Sequence, residues 1–409
     1  MAKKDLINAS KNKKDEFYTQ YEDIQREINA YLEYDENVFR NKVVLLPCDD
    51  PEWSNFTRFF AQNFTKLGLK KLISTSYSAD AKKRNQKFVG GYEQLSLFDI
   101  TDFEEKDSKF DINKTHKNGK IFVLDSDINN NGVIDINDLH WDYLDGDGDF
   151  RSEEVKRIRD EADIIVTNPP FSLFRQFVDW LMEENKKFLI IGNQNAITYK
   201  EIFPLLMKNK VWIGMRFNER INGLNMTFRV PDAYPANGTE VIINEKGEKY
   251  VSVSGTGWFT NLEHGRRHMP IDLMTMADNR KFSKHPEIKN EGYQKYDNYD
   301  AIDVPYTDAI PSDYDGVMGV PISFMKYYCP EQFEIIGIAK TPLGNELRTK
   351  IYPQQIQHDK NGNVSKVTKL NDGSAIKVKE PPVGETYYEI GDNLYVSTYA
   401  RILIKKRWV

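Results

Sequence analysis

The sequence predicts an α/β protein in which a mostly parallel sheet carries helices on both faces and is followed by a β-rich region with loops. Three observations carry the prediction. Short apolar runs alternate with amphipathic stretches through the first two-thirds of the chain. The runs Val43-Val44-Leu45-Leu46 and Asp163-Ile-Ile-Val-Thr167 read as buried strands. Beyond about residue 265 helical periodicity fades, Tyr, Asp and Pro rise, and Asn361-Gly362 and Asp372-Gly373 mark turns between short alternating strands.

In chain order, residues 20–34 place Ile24, Ile28, Tyr31 and Leu32 at helical spacing. The strand at 43–46 ends at Pro47 and leads into a helix with Trp53, Phe56, Phe59, Phe60, Phe64 and Leu67 on one side. Residues 72–76 and 120–124 read as strands. After 163–167, Ser172 is placed to cap a helix whose Leu173, Phe174, Phe177, Val178, Leu181 and Met182 form one apolar stripe. Strands at 188–191 and 211–214 bracket a helix at 198–208. Residues 241–253 read as a hairpin around Asn244-Glu-Lys-Gly247, and 258–262 adds a last strand to the main sheet. The division is a first domain over 1–265, with an acidic insertion at about 79–144 and a hairpin insertion at about 216–255, and a second region over 266–409.

Forty per cent hydrophobic and 12% aromatic residues suffice for a substantial core. No apolar run approaches membrane-spanning length, and residues 1–14 are polar and lysine-rich, unlike a secretory signal, so the expected location is cytoplasmic. Two cysteines, Cys48 and Cys329, build neither a disulfide framework nor a four-cysteine zinc site. The net charge of −6 is unevenly spread, because residues 125–149 hold eight aspartates and no Lys or Arg, leaving +2 on the remainder. Basic clusters lie at Lys11, Lys13 and Lys14, and at 82–84, 266–268 and 405–407. A phosphate backbone feels local patches over a Debye length of about 10 Å, so charge neither demands nor excludes nucleic acid.

The segment with the clearest chemistry is Asn168-Pro169-Pro170-Phe171, directly after a strand and before a helix, at the edge where open α/β sheets bind ligands. An adenine amine is planar and a poor nucleophile, because its lone pair is delocalised into the ring. The Asn168 side-chain oxygen and the Pro169 carbonyl can accept its two hydrogens and concentrate electron density on nitrogen. Pro169 and Pro170 stiffen the loop, and Phe171 offers a face for a base taken out of the stack. The same arrangement serves cytosine N4, RNA adenine or a glutamine amide. Pro47-Cys48 is similar to the nucleophile of cytosine 5-methylating enzymes, but no activating neighbour is evident, and Cys48 reads as a small residue ending a strand.

The acidic stretch has its own candidate chemistry. Asp127, Asn129, Asn131, Gly132, Ile134, Asp135 and Asp138 match an EF-hand-type calcium loop in spacing, although no entering helix precedes them, and an Asx-rich turn is the competing reading. His140, His264 and His268 lack metal-ligand spacing. Tyr296, Tyr299 and Tyr306 read as packing residues or as contacts to nucleic acid.

The chain resembles the EcoRI-type adenine-specific DNA methyltransferases through several collinear motifs. They are Asp15-Glu-Phe-Tyr-Thr-Gln20, Cys48-Asp-Asp-Pro51, Gly146-Asp-Gly-Asp-Phe-Arg-Ser152, Val166-Thr-Asn-Pro-Pro-Phe-Ser-Leu-Phe174, Tyr296-Asp-Asn-Tyr-Asp-Ala-Ile302, Asp315-Gly-Val-Met-Gly-Val-Pro321 and Arg401-Ile-Leu-Ile404. Residues 79–144 and 341–395 resemble the family least and look like insertions. The resemblance implies S-adenosylmethionine as methyl donor, duplex DNA as substrate, a Rossmann-like class I methyltransferase sheet and a β-rich recognition region. It implies that Phe17, Tyr18 and Thr19 lie beside the donor's methionine end, and that Cys48, Asp49 and Asp50 follow the first strand at the cofactor edge. It further implies that Asp149 accepts the donor's adenine amine, that Phe150 packs its ring, and that 168–171 receive the target base. The first strand lacks the usual Gly-x-Gly turn, and no carboxylate ends the second, unless Asp80 serves.

The expectation is therefore a monomeric DNA adenine methyltransferase, with a cognate restriction endonuclease as candidate partner. Arg216, Arg220, Arg229, Arg266 and Arg267 are candidates for contacts to base edges. The alternative is a catalytically silent DNA-binding or antirestriction protein on the same fold.

Overall fold

The computed structural model describes residues 18–49, 54–78, 108–217, 226–230 and 241–407. The chain divides into two compact units, 1–194 with 211–265, and 195–210 with 266–409. Among the described residues no helix is long and apolar enough to cross a membrane.

The first unit holds twelve described strands: β1 (Tyr18–Thr19), β2 (Val43–Leu46), β3 (Lys71–Ser76), β4 (Lys120–Leu124), β5 (His140–Tyr143), β6 (Ile164–Thr167), β7 (Lys187–Asn193), β8 (Trp212–Phe217), β9 (Thr227–Val230), β10 (Val241–Ile243), β11 (Lys249–Ser252) and β12 (Thr256–Thr260). Its four helices of eight residues or more are α1 (Tyr21–Tyr34), α2 (Asn55–Gln62), α3 (Glu153–Glu161) and α4 (Phe174–Glu183). Eight strands form one sheet in the order β5-β4-β3-β2-β6-β7-β12-β8.

Only the central strands β3, β2, β6 and β7 run parallel. β4, β5, β12 and β8 pair antiparallel to their neighbours, which corrects the mostly parallel expectation. The reason is local. β4 and β5 form a hairpin across the Asx-rich loop, and β12 comes back from the 241–253 hairpin to run between β7 and β8.

The central strands are buried on both faces, so their side chains split between two layers. Val44, Leu46, Ile164, Val166, Leu189, Ile191 and Trp258 share one cluster with Ile24 and Ile28 of α1 and Phe56, Phe59 and Phe60 of α2. On the other face Phe174 of α4 meets Phe259 edge-on at 5.3 Å. Burying each such aromatic fully contributes about 1.5–3 kcal/mol. The predicted long helix after β2 breaks at Asn63 into α2 and a turn at Phe64–Leu67, with Trp53 outside the described residues. α4 starts through a 3₁₀ turn at Phe171–Leu173, and its N-cap position is Leu173 without a side-chain cap, so Ser172 does not hold the position predicted for it.

A buried carboxylate closes the β8 edge. The register between β12 and β8 shifts between Gly257 and Phe259. Glu27 of α1 accepts the Met215 and Arg216 backbone N–H groups at 2.8 Å each, and the Tyr31 hydroxyl at 3.0 Å. The approach requires Gly214, where a Cβ would sit 2.3 Å from the Glu27 carboxylate. β1, β9, β11 and β10 form a second, antiparallel sheet that ties the N-terminal segment to the hairpin, with Thr19 opposite Phe228.

The second unit contains β13 (Ile302–Asp303), β14 (Met318–Pro321), β15 (Phe333–Ala339), β16 (Gln355–His358), β17 (Val364–Val367), β18 (Ala375–Val378), β19 (Tyr387–Ile390), β20 (Asn393–Ser397) and β21 (Arg401–Lys406). They make a four-stranded sheet, β13-β14-β21-β15, and a five-stranded one, β17-β16-β19-β20-β18. The five-stranded sheet lies entirely between β15 and β21, whose ends pair Ala339 with Arg401. It has its own core of Tyr352, Leu370, Ala375, Tyr388 and Tyr395. Asn298 fastens it, donating to the Gly373 carbonyl at 2.9 Å and accepting from Ala375 N–H at 2.8 Å. Tyr296 and Tyr299 are buried in this unit, with the Tyr296 hydroxyl on Asp303 at 2.5 Å and Arg401 Nε on the same oxygen at 2.9 Å. They are packing residues. Where the sequence suggested a helix over 198–208, the chain makes a 3₁₀ turn at Gln194–Thr198 and a short helix at Phe203–Met207 that packs on β15.

Burial raises the Glu27 carboxyl to about 7 despite the hydrogen bonds it accepts. A carboxyl raised in the folded state stabilises fully below its unfolded value of about 4.3, and that contribution is lost as pH rises through about 7. The melting temperature of Glu27→Gln should therefore fall less than that of the wild type between pH 5 and 7.5. Parallel pH profiles in a thermal-shift series would show that Glu27 does not titrate there.

Candidate active site

The parallel strands β3, β2, β6 and β7 present their carboxyl ends along one edge, and the strand order reverses beside β2: the chain runs outward from β2 through β3, β4 and β5 on one side and resumes at β6 on the other. Such a reversal opens a crevice between the two adjacent strands. The described ladder between β2 and β6 runs from Val44–Ile164 to Leu45–Ile165 and stops. Two residues on, the Thr167 hydroxyl takes over, donating to the Pro47 carbonyl at 2.7 Å. Immediately beyond this buried bond lie Cys48 on one strand and Asn168 on the other.

Asn168 and Phe171 are half-buried, Pro169 is buried, and the Asn168 side-chain oxygen is shielded from solvent. The Pro170 carbonyl accepts the Leu173 N–H at 2.9 Å, fixing the loop's exit. Phe171 leans on the core cluster shared by α1 and α2.

On the β2 side, Cys48 takes a left-handed φ of 62° and donates its thiol to the Tyr77 hydroxyl at 3.5 Å. Burial pushes that thiol up to about 12, which disfavours the thiolate a nucleophile needs. Asp49 is buried, with its carboxylate accepting from the Thr57 hydroxyl of α2 at 2.9 Å and its N–H donating to the Thr75 carbonyl at 2.7 Å. The first residue of α2, Asn55, donates to the Thr19 carbonyl at 2.7 Å. Helix α2 thus gathers Thr19 and Asp49. Of Tyr18 only the backbone is described, and Phe17, Asp50, Asp80 and Arg220 lie outside the described residues, as do the basic clusters at 11–14 and 82–84.

The loop 145–152 closes on the end of β3. Ser78 N–H donates to the Asp147 carbonyl at 2.9 Å, and Glu154 accepts from Asp145 and Gly146 N–H at 2.8 and 2.9 Å. Gly148, at φ 82°, is obligatory, since a Cβ there would sit 2.2 Å from the Ser76 carbonyl oxygen. Asp149 holds Arg151 in a fork, with Nε on Oδ1 at 2.9 Å and Nη2 on Oδ2 at 2.6 Å, while Arg151 Nη1 reaches Gln176 of α4 at 3.1 Å. Partial burial opposes ionisation of Asp149, but the Arg151 hydrogen bonds outweigh it and keep the carboxyl below its usual range. Phe150 is 0% exposed, packed on Phe177 at 5.0 Å and Trp180 at 5.7 Å. It anchors the loop on α4.

The acidic loop 127–138 uses its side chains on its own backbone. Asp127 accepts from Asn131 and Gly132 N–H at 3.1 and 2.7 Å, and Asp138 from Ile128, Asn129 and Asp135 N–H at 3.0, 3.1 and 3.0 Å. Asp135 with Asp138 forms a capping box, and Asn129 accepts from Asn131 N–H at 3.0 Å. Among the described residues no three His, Cys, Asp or Glu side chains gather as metal ligands.

Two of the arginines predicted to meet DNA are structural. Arg216 is buried in an ion pair with Asp23, and Arg267 is buried and donates to Asn209 at 2.9 Å. Arg229 pairs with Glu248 at 3.3 Å on the β9–β11 sheet, and Arg266 lies 5.7 Å from the Tyr327 ring centroid. Sequence reasoning overlooked Thr167, Tyr77 and Arg151. Thr167 and Arg151 stood inside recognisable motifs, whereas nothing local marked Tyr77.

The chain matches, over residues 5–407, the family model described as "Adenine-specific methyltransferase EcoRI". It is 42% identical over 336 residues to the Type II methyltransferase M.EcoRI of Escherichia coli, covering 82% of this chain and 89% of that one. It is 33% identical over 355 residues to the Type II methyltransferase M.MgeORF184P of Mycoplasma genitalium, covering 86% and 92%. A Mycoplasma pneumoniae relative, the Type II methyltransferase M.MpnI, is 32% identical over 348 residues, covering 84% and 89%. No solved structure matches.

Removing the Thr167 hydroxyl leaves the buried Pro47 carbonyl without its partner, a loss of about 1–3 kcal/mol. Thr167→Val should lower unfolding free energy by that amount in urea titrations, and Thr167→Ser should restore most of it. Equal stability of the Val variant would mean that the strand ends hold without the bond.

Proposed function

From the premise that the chain belongs to the EcoRI adenine-specific methyltransferase family and is a DNA adenine methyltransferase, we propose that its donor is S-adenosylmethionine, bound at the β2–β3 edge, and that its target adenine leaves the duplex to lie against 168–171. The carrying observation is the Asn168-Pro169-Pro170-Phe171 loop fixed to the β2 end by Thr167. The strand order of the large sheet, with its reversal beside that loop, supports a Rossmann-like class I methyltransferase domain.

The residues present fit an S-adenosyl group. The Thr19 hydroxyl is buried without a hydrogen-bond partner among the described residues, a vacancy for a polar ligand atom near the donor's methionine end. The Asp149 carboxylate, ionised and planar in the Arg151 fork, suits an adenine amine. Cys48 and Asp49, with Phe17, Tyr18 and Asp50, complete the set. When bound, the donor supplies an electrophilic methyl group on a sulfonium.

The chain's own residues then act on the target. Asn168 Oδ1 and the Pro169 carbonyl accept the two amine hydrogens, which holds the nitrogen lone pair out of conjugation with the ring. Phe171 carries the base face, and the rigid prolines keep both acceptors aimed before the base arrives. No covalent enzyme intermediate is needed, consistent with a protonated Cys48. The hairpin sheet and the second unit read bases in duplex DNA, with Arg229 and Arg266 as the remaining described candidates. The protein works as a monomer in the cytoplasm, and the Type II designation of the relatives supports a cognate restriction endonuclease.

Acceptance by Asn168 strengthens as the nitrogen turns tetrahedral, so Asn168→Ala should cut turnover at least about 10²-fold with DNA and donor affinities little changed. Asn168→Asp, still an acceptor, should lose less. Near-normal adenine methylation of duplex DNA by the Ala variant would remove 168–171 from the catalytic role.

Asp149 is checked separately. Asp149→Ala should weaken S-adenosylmethionine binding in calorimetry about 10-fold while leaving DNA affinity unchanged, the worth of one charge-assisted hydrogen bond. Equal donor affinity would reduce Asp149 to a partner of Arg151.

A further inference from the structure

The end of the second parallel strand carries an inference that rests on the S-adenosylmethionine reading. In dinucleotide-binding sheets an acid at this kind of position binds ribose hydroxyls by accepting from them. Here residues 74–78 read Ser-Thr-Ser-Tyr-Ser and offer no carboxylate. What stands there is Tyr77, set between the Cys48 end of β2 and the loop carrying Asp149.

The hydrogen-bond valence of Tyr77 is informative. A phenol oxygen accepts through two lone pairs and donates one hydrogen. The Cys48 thiol donates to it at 3.5 Å. One lone pair is thus engaged, and among the described residues no hydrogen bond runs from the hydroxyl to an acceptor. Burial raises the phenol far above its ordinary value, so that hydrogen is retained. Leaving a part-buried donor without an acceptor is costly, and a ligand atom in the pocket relieves it.

We propose that Tyr77 is a methyl-donor-binding residue whose O–H donates to a ribose hydroxyl oxygen of the S-adenosyl group. The polarity is the reverse of a carboxylate's, because the ribose oxygen accepts.

The test is calorimetry of S-adenosylhomocysteine and its 2′-deoxy and 3′-deoxy forms with the wild type and Tyr77→Phe, which keeps the ring. The variant should bind S-adenosylhomocysteine about 3- to 10-fold more weakly, the worth of one neutral hydrogen bond. One of the two deoxy forms should bind both proteins equally, identifying the hydroxyl concerned. Unchanged affinity for S-adenosylhomocysteine, or an equal loss for all three ligands, overturns the assignment and leaves Tyr77 a packing residue. A wild type that binds none of them overturns the S-adenosylmethionine reading, and this proposal with it.

Discussion

One buried hydroxyl sets the geometry on which the rest of the site depends. Where the described β2–β6 ladder ends, the Thr167–Pro47 bond keeps the strands from parting further. Everything with chemical character is strung outward from that point. Asn168 follows Thr167 directly, Cys48 and Asp49 follow Pro47, Tyr77 is reached from Cys48, and Asp149 through Ser78 and Asp147. A two-substrate transfer needs its partners at a fixed separation, and a misplacement of about 1 Å can cost on the order of 10²-fold in rate. Here the separation is built into a sheet with its aromatic layers on either side, which is stiffer than any loop could be.

The polar groups of the first unit fall into two kinds. Some are consumed by the fold. Glu27 accepts N–H groups of β8, and Asp127 and Asp138 shape their own loop. Others stand at the crevice with their orientation imposed from behind, as Asp149 does by Arg151 and Tyr77 by Cys48. Within the acidic stretch Asp127, Asp135 and Asp138 belong to the first kind, each accepting loop backbone N–H groups. Sequence charge alone cannot separate these kinds, because aspartates occur in both.

The same limit governs what could be read from the chain. The central strands were legible because Val43 to Leu46 and Ile164 to Thr167 are apolar on both faces, which few other structures permit. The position of the 168–171 loop, directly after β6 and before α4, was legible from the apolar run that precedes it and the apolar stripe that follows. The Glu27 clamp was not, since it joins residues 188 and 189 apart in the chain. Arg216 and Arg267 looked available for DNA only because sequence does not reveal which face a side chain takes. Nor does sequence show that Phe150 packs into Phe177 and Trp180. The antiparallel flanks escaped because strand direction is decided by where a connection returns.

The five-stranded sheet enters and leaves the second unit through residues that are already neighbours across β15 and β21. Lengthening a connection between two fixed neighbours adds little entropy cost, about 0.6 kcal/mol for each doubling. Since this segment also buries a core of its own, its size is almost decoupled from the framework that bears it. An ancestral hairpin could acquire, trade or shed such a cassette in a single genetic event without re-registering a strand. The protein can therefore remodel its exterior at this point on an evolutionary timescale while the crevice chemistry stands still.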